Sequence, residues 1–322
     1  MAGDRVPQVA PLSCGDPGGR AALSVPCLVE AGLQGLPEPA RAVLSMLSYE
    51  ERGLLFELGR RFKGMGLVVD AGCFVGGSTV SLAAGLAVND RSSPGVIHTY
   101  DLLRSDPDQT GGYSDAIDAL PPGSSLRDLF EQNVAPYRDL ITLHEGDILL
   151  QRPPDDQVEI LFIDICKTWK INFHVVKEFF AALLPDHSIV IQQDLVHWRY
   201  PWCAIVMEAL QAHFEYLGWT WYASSAWRCR SRPSDSELAT DWKRDVGLPE
   251  GLALLRQSAR RHGGWAVPLL ELCRASLLYE SVSTRHRQQR STGSKPSTAT
   301  MFRTSSRVTR HFDRWYGKPA ES

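Results

Sequence analysis

The segment Leu67–Val80, LVVDAGCFVGGSTV, constrains this 322-residue chain more than any other part of it. Leu67–Ala71 is a short apolar run bounded by glycines, too short for a helix, and it reads as a buried strand. Gly72, Gly76 and Gly77 then permit a tight turn. Ser78–Leu86, rich in Ala and Leu, reads as the helix that follows. Strand, glycine turn and helix in that order make the first half of a strand-helix-strand unit, whose next strand runs parallel to the first.

The chain repeats that alternation. Further strands are expected at Val96–Tyr100, Leu140–His144, Glu159–Ile163 and His187–Ile191, ending near Asp101, Asp147, Asp164 and Asp194. Helices are expected at about 125–134, 173–184 and 204–214, and Trp219–Ala223 with Ala226–Cys229 reads as a closing hairpin. Upstream, Ser48-Tyr49-Glu50-Glu51 forms a capping box, followed by Leu54, Leu55, Leu58 and Phe62 on one helix face. The expected fold is α/β: a Rossmann-like, doubly wound, mostly parallel seven-stranded sheet with helices on both faces and a closing antiparallel hairpin. Ligands of such sheets sit at the carboxyl ends of the strands.

Four segments are expected: a disordered leader over 1–36, the sheet domain over 37–232, a helical extension over 233–283, and a basic, disordered tail over 284–322. Residues 285–322 hold nine Lys or Arg against two acids, which favours a solvated tail over a nucleic-acid-binding one. The formal charge of −3 for the whole chain points to neither nucleic acid nor a membrane surface. Seven cysteines without a C-x-x-C pair argue against zinc or a disulfide framework and for a reducing, cytoplasmic setting. No stretch approaches the roughly 18 apolar residues of a membrane span. The expected partner is a small-molecule acceptor, with a homodimer as a further option.

Phe74 narrows the ligand. A dinucleotide loop carries a glycine there so that the backbone can approach a pyrophosphate. The Phe74 side chain obstructs that approach, and Asp70, two residues before Gly72, repels the phosphates. An adenosyl ligand without phosphates and with a positive portion fits better, which describes S-adenosylmethionine. Asp101 can accept from the ribose hydroxyls and Asp147 from the adenine amino group. A nicotinamide dehydrogenase is disfavoured on the same two grounds.

With those residues in view, the segment from about Ser48 to Arg230 resembles a class I S-adenosylmethionine-dependent methyltransferase. VVDAGCFVGGST resembles the first motif, D-x-G-x-G-x-G, HTYD the second, LHEGD the third and EILFIDICKTW the fourth. FFAALLPDHSIVIQQD resembles the approach to the fifth strand, with Pro185-Asp186-His187 replacing the usual glycine pair. The resemblance implies cofactor contacts from Asp70, Gly72, Cys73, Phe74, Gly76, Gly77, Ser78, Thr79, Asp101, Asp147 and Asp164. Within the family, IDICKTW resembles the small-molecule O-methyltransferases of the catechol and macrolide-sugar type. These place a metal-binding Asp after the fourth strand and, in the catechol type, a lysine base three residues later, a spacing that Asp164 and Lys167 match. The next metal ligands would follow the fifth strand, where Gln193, Asp194 and Leu195 stand, so Mg2+ held by Asp164 and Asp194 is an option.

Methyl transfer from a sulfonium is an in-line displacement, and a hydroxyl acceptor must also lose a proton. Lys167, with a pKa lowered by burial, and His197 are the candidate bases, beside Asp164. Trp169, Trp198, Tyr200 and Trp202 could wall an acceptor or simply pack accessory helices, and Tyr113 could belong to a lid over 103–124. The expected activity is O-methylation of a sugar or secondary metabolite. Its rival is a non-catalytic S-adenosylmethionine-binding protein that acts through its basic tail.

Overall fold

The computed structural model describes residues 24–106, 114–154, 157–220 and 223–291. Helices α1 (Val25–Gly35), α2 (Glu38–Ala42) and α3 (Tyr49–Arg60) precede strand β1 (Leu67–Ala71) and helix α4 (Gly77–Ala87). Then come β2 (Ile97–Asp101), α5 (Asp115–Asp118), α6 (Arg127–Val134), β3 (Ile141–Glu145) and β4 (Val158–Ile163). They are followed by α7 (Trp169–Phe179), β5 (Ile189–Gln192), α8 (Pro201–Ala209), β6 (Phe214–Trp219) and β7 (Ser225–Cys229). Helices α9 (Asp235–Leu238), α10 (Trp242–Asp245), α11 (Leu248–His262) and α12 (Ala266–Ser291) end the described chain.

The sheet runs β3-β2-β1-β4-β5-β7-β6, with β1 to β5 parallel and β7 antiparallel between β5 and β6. This is the doubly wound sheet with a closing hairpin expected from the alternation. Alternate residues of one strand feed opposite faces: Val68, Ile160 and Phe162 join one core, Val69, Leu161 and Ile163 the other. The winding reverses between β1 and β4. Ala71 pairs with both Tyr100 and Ile163, and Ile163 with Gln192, so Gly72, Asp101, Asp164 and Gln193 emerge in one row.

Helices α3 and α4 approach one another through glycine. A Cβ on Gly85 would strike the Phe56 carbonyl oxygen and come within 2.7 Å of the Arg60 nitrogen. Backbone cannot yield there as a flexible side chain can, so Gly85→Ala is expected to cost about 2–3 kcal/mol. A urea midpoint equal to that of the parent would show that α3 and α4 can separate enough for a methyl group without loss.

Several expectations need correction. The leader assigned to 1–36 carries α1 at Val25–Gly35, whose Val25 and Leu28 are buried against α3; residues 1–23 lie outside the described residues. Glycine and proline content masked a short amphipathic helix there. The hairpin begins at Phe214 rather than Trp219, because a register shift at Gly218 interrupts its alternation. The tail's start at 284 is displaced too, since α12 runs to Ser291, and residues 292–322 lie outside the described residues. Leu255, Ala259, Leu270 and Cys273 of α11 and α12 share a core cluster with β4, β5 and α8. Residues 233–283 therefore complete the sheet's cover.

Cysteine use departs from expectation at one position. Cys27 is disulfide-bonded, whereas Cys73, Cys166, Cys203, Cys229 and Cys273 are free and buried. Pairing depends on proximity that spacing along the chain does not reveal. Among the described residues no helix is long and apolar enough to cross a membrane.

Candidate active site

Asp70, the penultimate residue of β1, has no exposed surface, and its carboxylate accepts from Ser78 Oγ at 2.9 Å and Thr79 Oγ1 at 2.6 Å. Burial raises its pKa to about 6 against the lowering effect of those two hydroxyls, and nearby Asp101 raises it further. Gly72 has φ +99°, and a Cβ there would lie 2.6 Å from the Asp164 carbonyl oxygen. Glycine is thus required where β1 and β4 leave the sheet side by side. Phe74 also adopts a left-handed backbone, φ +49°, which costs a non-glycine residue roughly 1–2 kcal/mol. Its N–H donates to Asp101 Oδ2 at 2.8 Å, and Leu103 N–H donates to Oδ1 at 2.8 Å, so the turn and the aspartate hold one another.

The glycine loop divides its labour differently from expectation. Ser78 and Thr79 spend their hydroxyls on Asp70. Cys73 is buried, Gly76 faces Val134, and a Cβ on Gly77 would meet Ser45 Cβ at 2.5 Å. These five positions shape the turn from behind. Gly72, Phe74 and Asp101 keep accessible surface, as does Asp147, whose Oδ1 accepts from Leu149 N–H at 3.0 Å.

Beyond β4 and β5 the expected magnesium site is an ion pair. Lys167 Nζ donates to Asp164 Oδ1 at 2.7 Å and to Asp194 Oδ2 at 2.5 Å. The ammonium therefore stands between the two carboxylates where the metal was expected. Leu195 is fully buried and offers no donor atom, and Gln193 Oε1 is 2.5 Å from Ser224 Oγ. The donor set does not fit a magnesium ion. Among the described residues no group of three or more His, Cys, Asp or Glu side chains forms a metal cluster.

Lys167 does not meet the expectation of a lowered pKa either. Burial alone would lower it, but Asp164 and Asp194 together hold it well above the ordinary lysine value. It is a fixed cation, not a neutral base. Burial lowers the His197 pKa against the opposing charge of Asp194, which leaves the ring neutral at pH 7. The Arg199 N–H points at its Nδ1 at 3.3 Å, and the ring stacks on Tyr200 with centroids 4.7 Å apart. Lys167 Nζ lies 5.4 Å from the Tyr200 ring centroid. Of the four aromatics weighed as an acceptor wall, Trp202 is buried and donates to the Cys166 carbonyl at 2.7 Å, while Trp169 packs beside it. Tyr113 lies outside the described residues.

Glu51 belongs to this end of the sheet, a role its capping box concealed. Its Oε2 accepts from Ser48, while Ser224 Oγ lies 2.8 Å from Oε1. One hydroxyl proton cannot serve both Glu51 and Gln193, and burial raises the Glu51 pKa, so Glu51 can hold the second proton. Glu51, Asp70, Asp101, Asp164 and Asp194 thus gather at one end, with Lys167 as the cation that Asp101 and Asp164 feel.

No protein-family model matches the chain, and no curated protein matches it. Solved structures share its architecture at low identity. CalS11, described as a TDP-rhamnose 3'-O-methyltransferase of calicheamicin biosynthesis, is 17% identical over 62% of this chain and 90% of its own, with a TM-score of 0.42. The O-methyltransferase NovP is 14% identical over 63% of this chain and 98% of its own, with a TM-score of 0.46. Phosphoethanolamine N-methyltransferase 1 of Haemonchus contortus is 9% identical over 76% and 57%, with a TM-score of 0.39. The likeness lies in the fold and assigns no activity.

Proposed function

We propose that this chain is an S-adenosylmethionine-dependent methyltransferase acting on a hydroxyl of a small molecule. One observation carries the reading: five carboxylates and one lysine converge at the strand ends beside a glycine turn. A pyrophosphate would meet net repulsion there, whereas a ligand bearing a sulfonium and an ammonium supplies the missing positive charge. When bound, that ligand supplies the methyl group as an electrophile.

The chain's own residues have separate roles. Asp101, fixed by Phe74 and Leu103, keeps lone pairs for the two ribose hydroxyls. Asp147, exposed at the end of β3, accepts from the adenine amino group. Lys167 spends two of its three N–H bonds on Asp164 and Asp194, and the third is free to donate to the acceptor oxygen as negative charge develops. His197, neutral at pH 7, has one lone pair, on the Nδ1 that the Arg199 N–H approaches at 3.3 Å, and it receives the hydroxyl proton there by giving up that long contact. The basic tail enters none of these steps.

Binding should depend on pH in a defined direction. Asp70 titrates near 6 instead of its usual 3.8, so the ligand-free fold favours the protonated carboxyl and loses that contribution as pH rises through about 6. A bound cation favours the ionised form. Calorimetric affinity for S-adenosylmethionine is therefore expected to be about tenfold weaker at pH 5 than at pH 8, with proton release on binding. Tight NAD binding with no uptake of the sulfonium donor or S-adenosylhomocysteine would overturn the reading.

A further inference from the structure

A groove of about 710 Å³ opens beside the ion pair, between the start of α7, α8 and the C-terminal helices α10 to α12. Lys167 lines it, so the cation at the strand ends is also part of the groove's wall. Trp169, Trp202 and Trp242 of α10 belong to its lining. Trp202 is buried behind the lining, whereas Trp169 and Trp242 are partly exposed, and two indoles suit a ring-containing ligand. The Trp169 and Trp242 indole N–H groups are buried without an acceptor, which is unfavourable until a ligand oxygen or a water supplies one.

The charge in the groove is distinctive. Lys170 and Lys243 are exposed, line the groove, and make no ion pair among the described residues. Lys167 is already balanced by two aspartates, and Glu280 is the one carboxylate in the lining. The strand ends are thus acidic while the groove next to them carries two uncommitted lysines. That polarity sorts ligands: a cationic donor belongs at the strand ends and an anionic molecule in the groove.

We infer that this groove holds the methyl acceptor, and that the acceptor is a hydroxylated ring compound bearing an anionic group held by Lys170 and Lys243. The inference rests on the proposed methyltransferase reading and extends it. The C-terminal helices thereby contribute to recognition as well as to the core, because α10 brings Trp242 and Lys243 to a pocket that the sheet alone would leave open.

The test measures binding without turnover. Quenching of tryptophan fluorescence is followed with catechol and 3,4-dihydroxybenzoate, and with glucose and glucose 6-phosphate, the two anionic probes separating carboxylate from phosphate. In at least one pair the anionic member is expected to bind about tenfold or more tightly. The double variant Lys170→Gln/Lys243→Gln should abolish that preference, while Trp242→Ala weakens both members of the pair. Equal binding within both pairs, no binding by any probe, or a preference that survives the double variant would overturn the inference. Calorimetry with S-adenosylmethionine runs alongside on every variant. Normal donor binding with no anion preference rejects the groove alone, whereas absent donor binding by the parent protein rejects the methyltransferase reading itself.

Discussion

Lys167→Met is expected to lower stability at pH 8 by about 3 kcal/mol, because removing one partner leaves two carboxylates facing each other out of bulk water. Methionine keeps much of the aliphatic volume, so the loss reports charge more than packing. Lys167 and both aspartates are each no more than a quarter exposed, so screening by solvent is limited. The sign with pH follows from the pair. The raised lysine pKa keeps the ammonium charged across this range, and the repulsion left by its loss is relieved as pH falls through about 7, where Asp164, its pKa raised by burial, takes up a proton. Parent and variant should therefore converge in urea unfolding at pH 5. Donor affinity should be retained, since losing a cation does not disfavour a cationic ligand, while turnover falls by about 10²–10³-fold, the effect of removing one donor aimed at developing negative charge. Undiminished turnover would leave the ion pair purely architectural.

Asp101→Asn is expected to weaken S-adenosylmethionine binding about 100-fold, equivalent to about 2.7 kcal/mol. The substitution keeps shape and one acceptor oxygen, but turns an NH2 group toward the Phe74 or Leu103 N–H that the carboxylate now accepts. It removes charge from the edge of the site and loosens the left-handed turn at Phe74. Thermal unfolding separates the two effects: a variant that unfolds near the parent temperature yet binds the donor weakly has lost recognition. An unchanged dissociation constant would remove Asp101 from the ribose position and leave it a turn-holding residue.

These two residues differ in how far sequence reveals them. Asp101 can be placed because strand ends are local features: an apolar run stops, an acid follows, and parallel pairing aligns it with Gly72. The same locality makes β1, the capping box at Ser48 and the second strand of the hairpin recognisable from pattern alone, while the first hairpin strand lies five residues earlier than its pattern suggests. Lys167 can be noticed by spacing, but its protonation state cannot. That depends on Asp194, 27 residues away, arriving within 2.5 Å. Ser78 and Thr79 pose the same difficulty on a smaller scale, since only the folded turn shows their hydroxyls directed at Asp70.

Hydrophobic periodicity, glycine placement and the acids at strand ends determined the alternating sheet, its parallel run and the row of residues at its carboxyl edge. Those are properties of short windows, set by backbone sterics and by which side of a strand must be buried. Tertiary structure alone decided that α1 packs on α3, that α11 and α12 complete the core, and that an ammonium takes the place expected for a metal. Each of these depends on charges or apolar faces from distant segments meeting in a poorly solvated space, where their energies are set by neighbours and not by sequence distance.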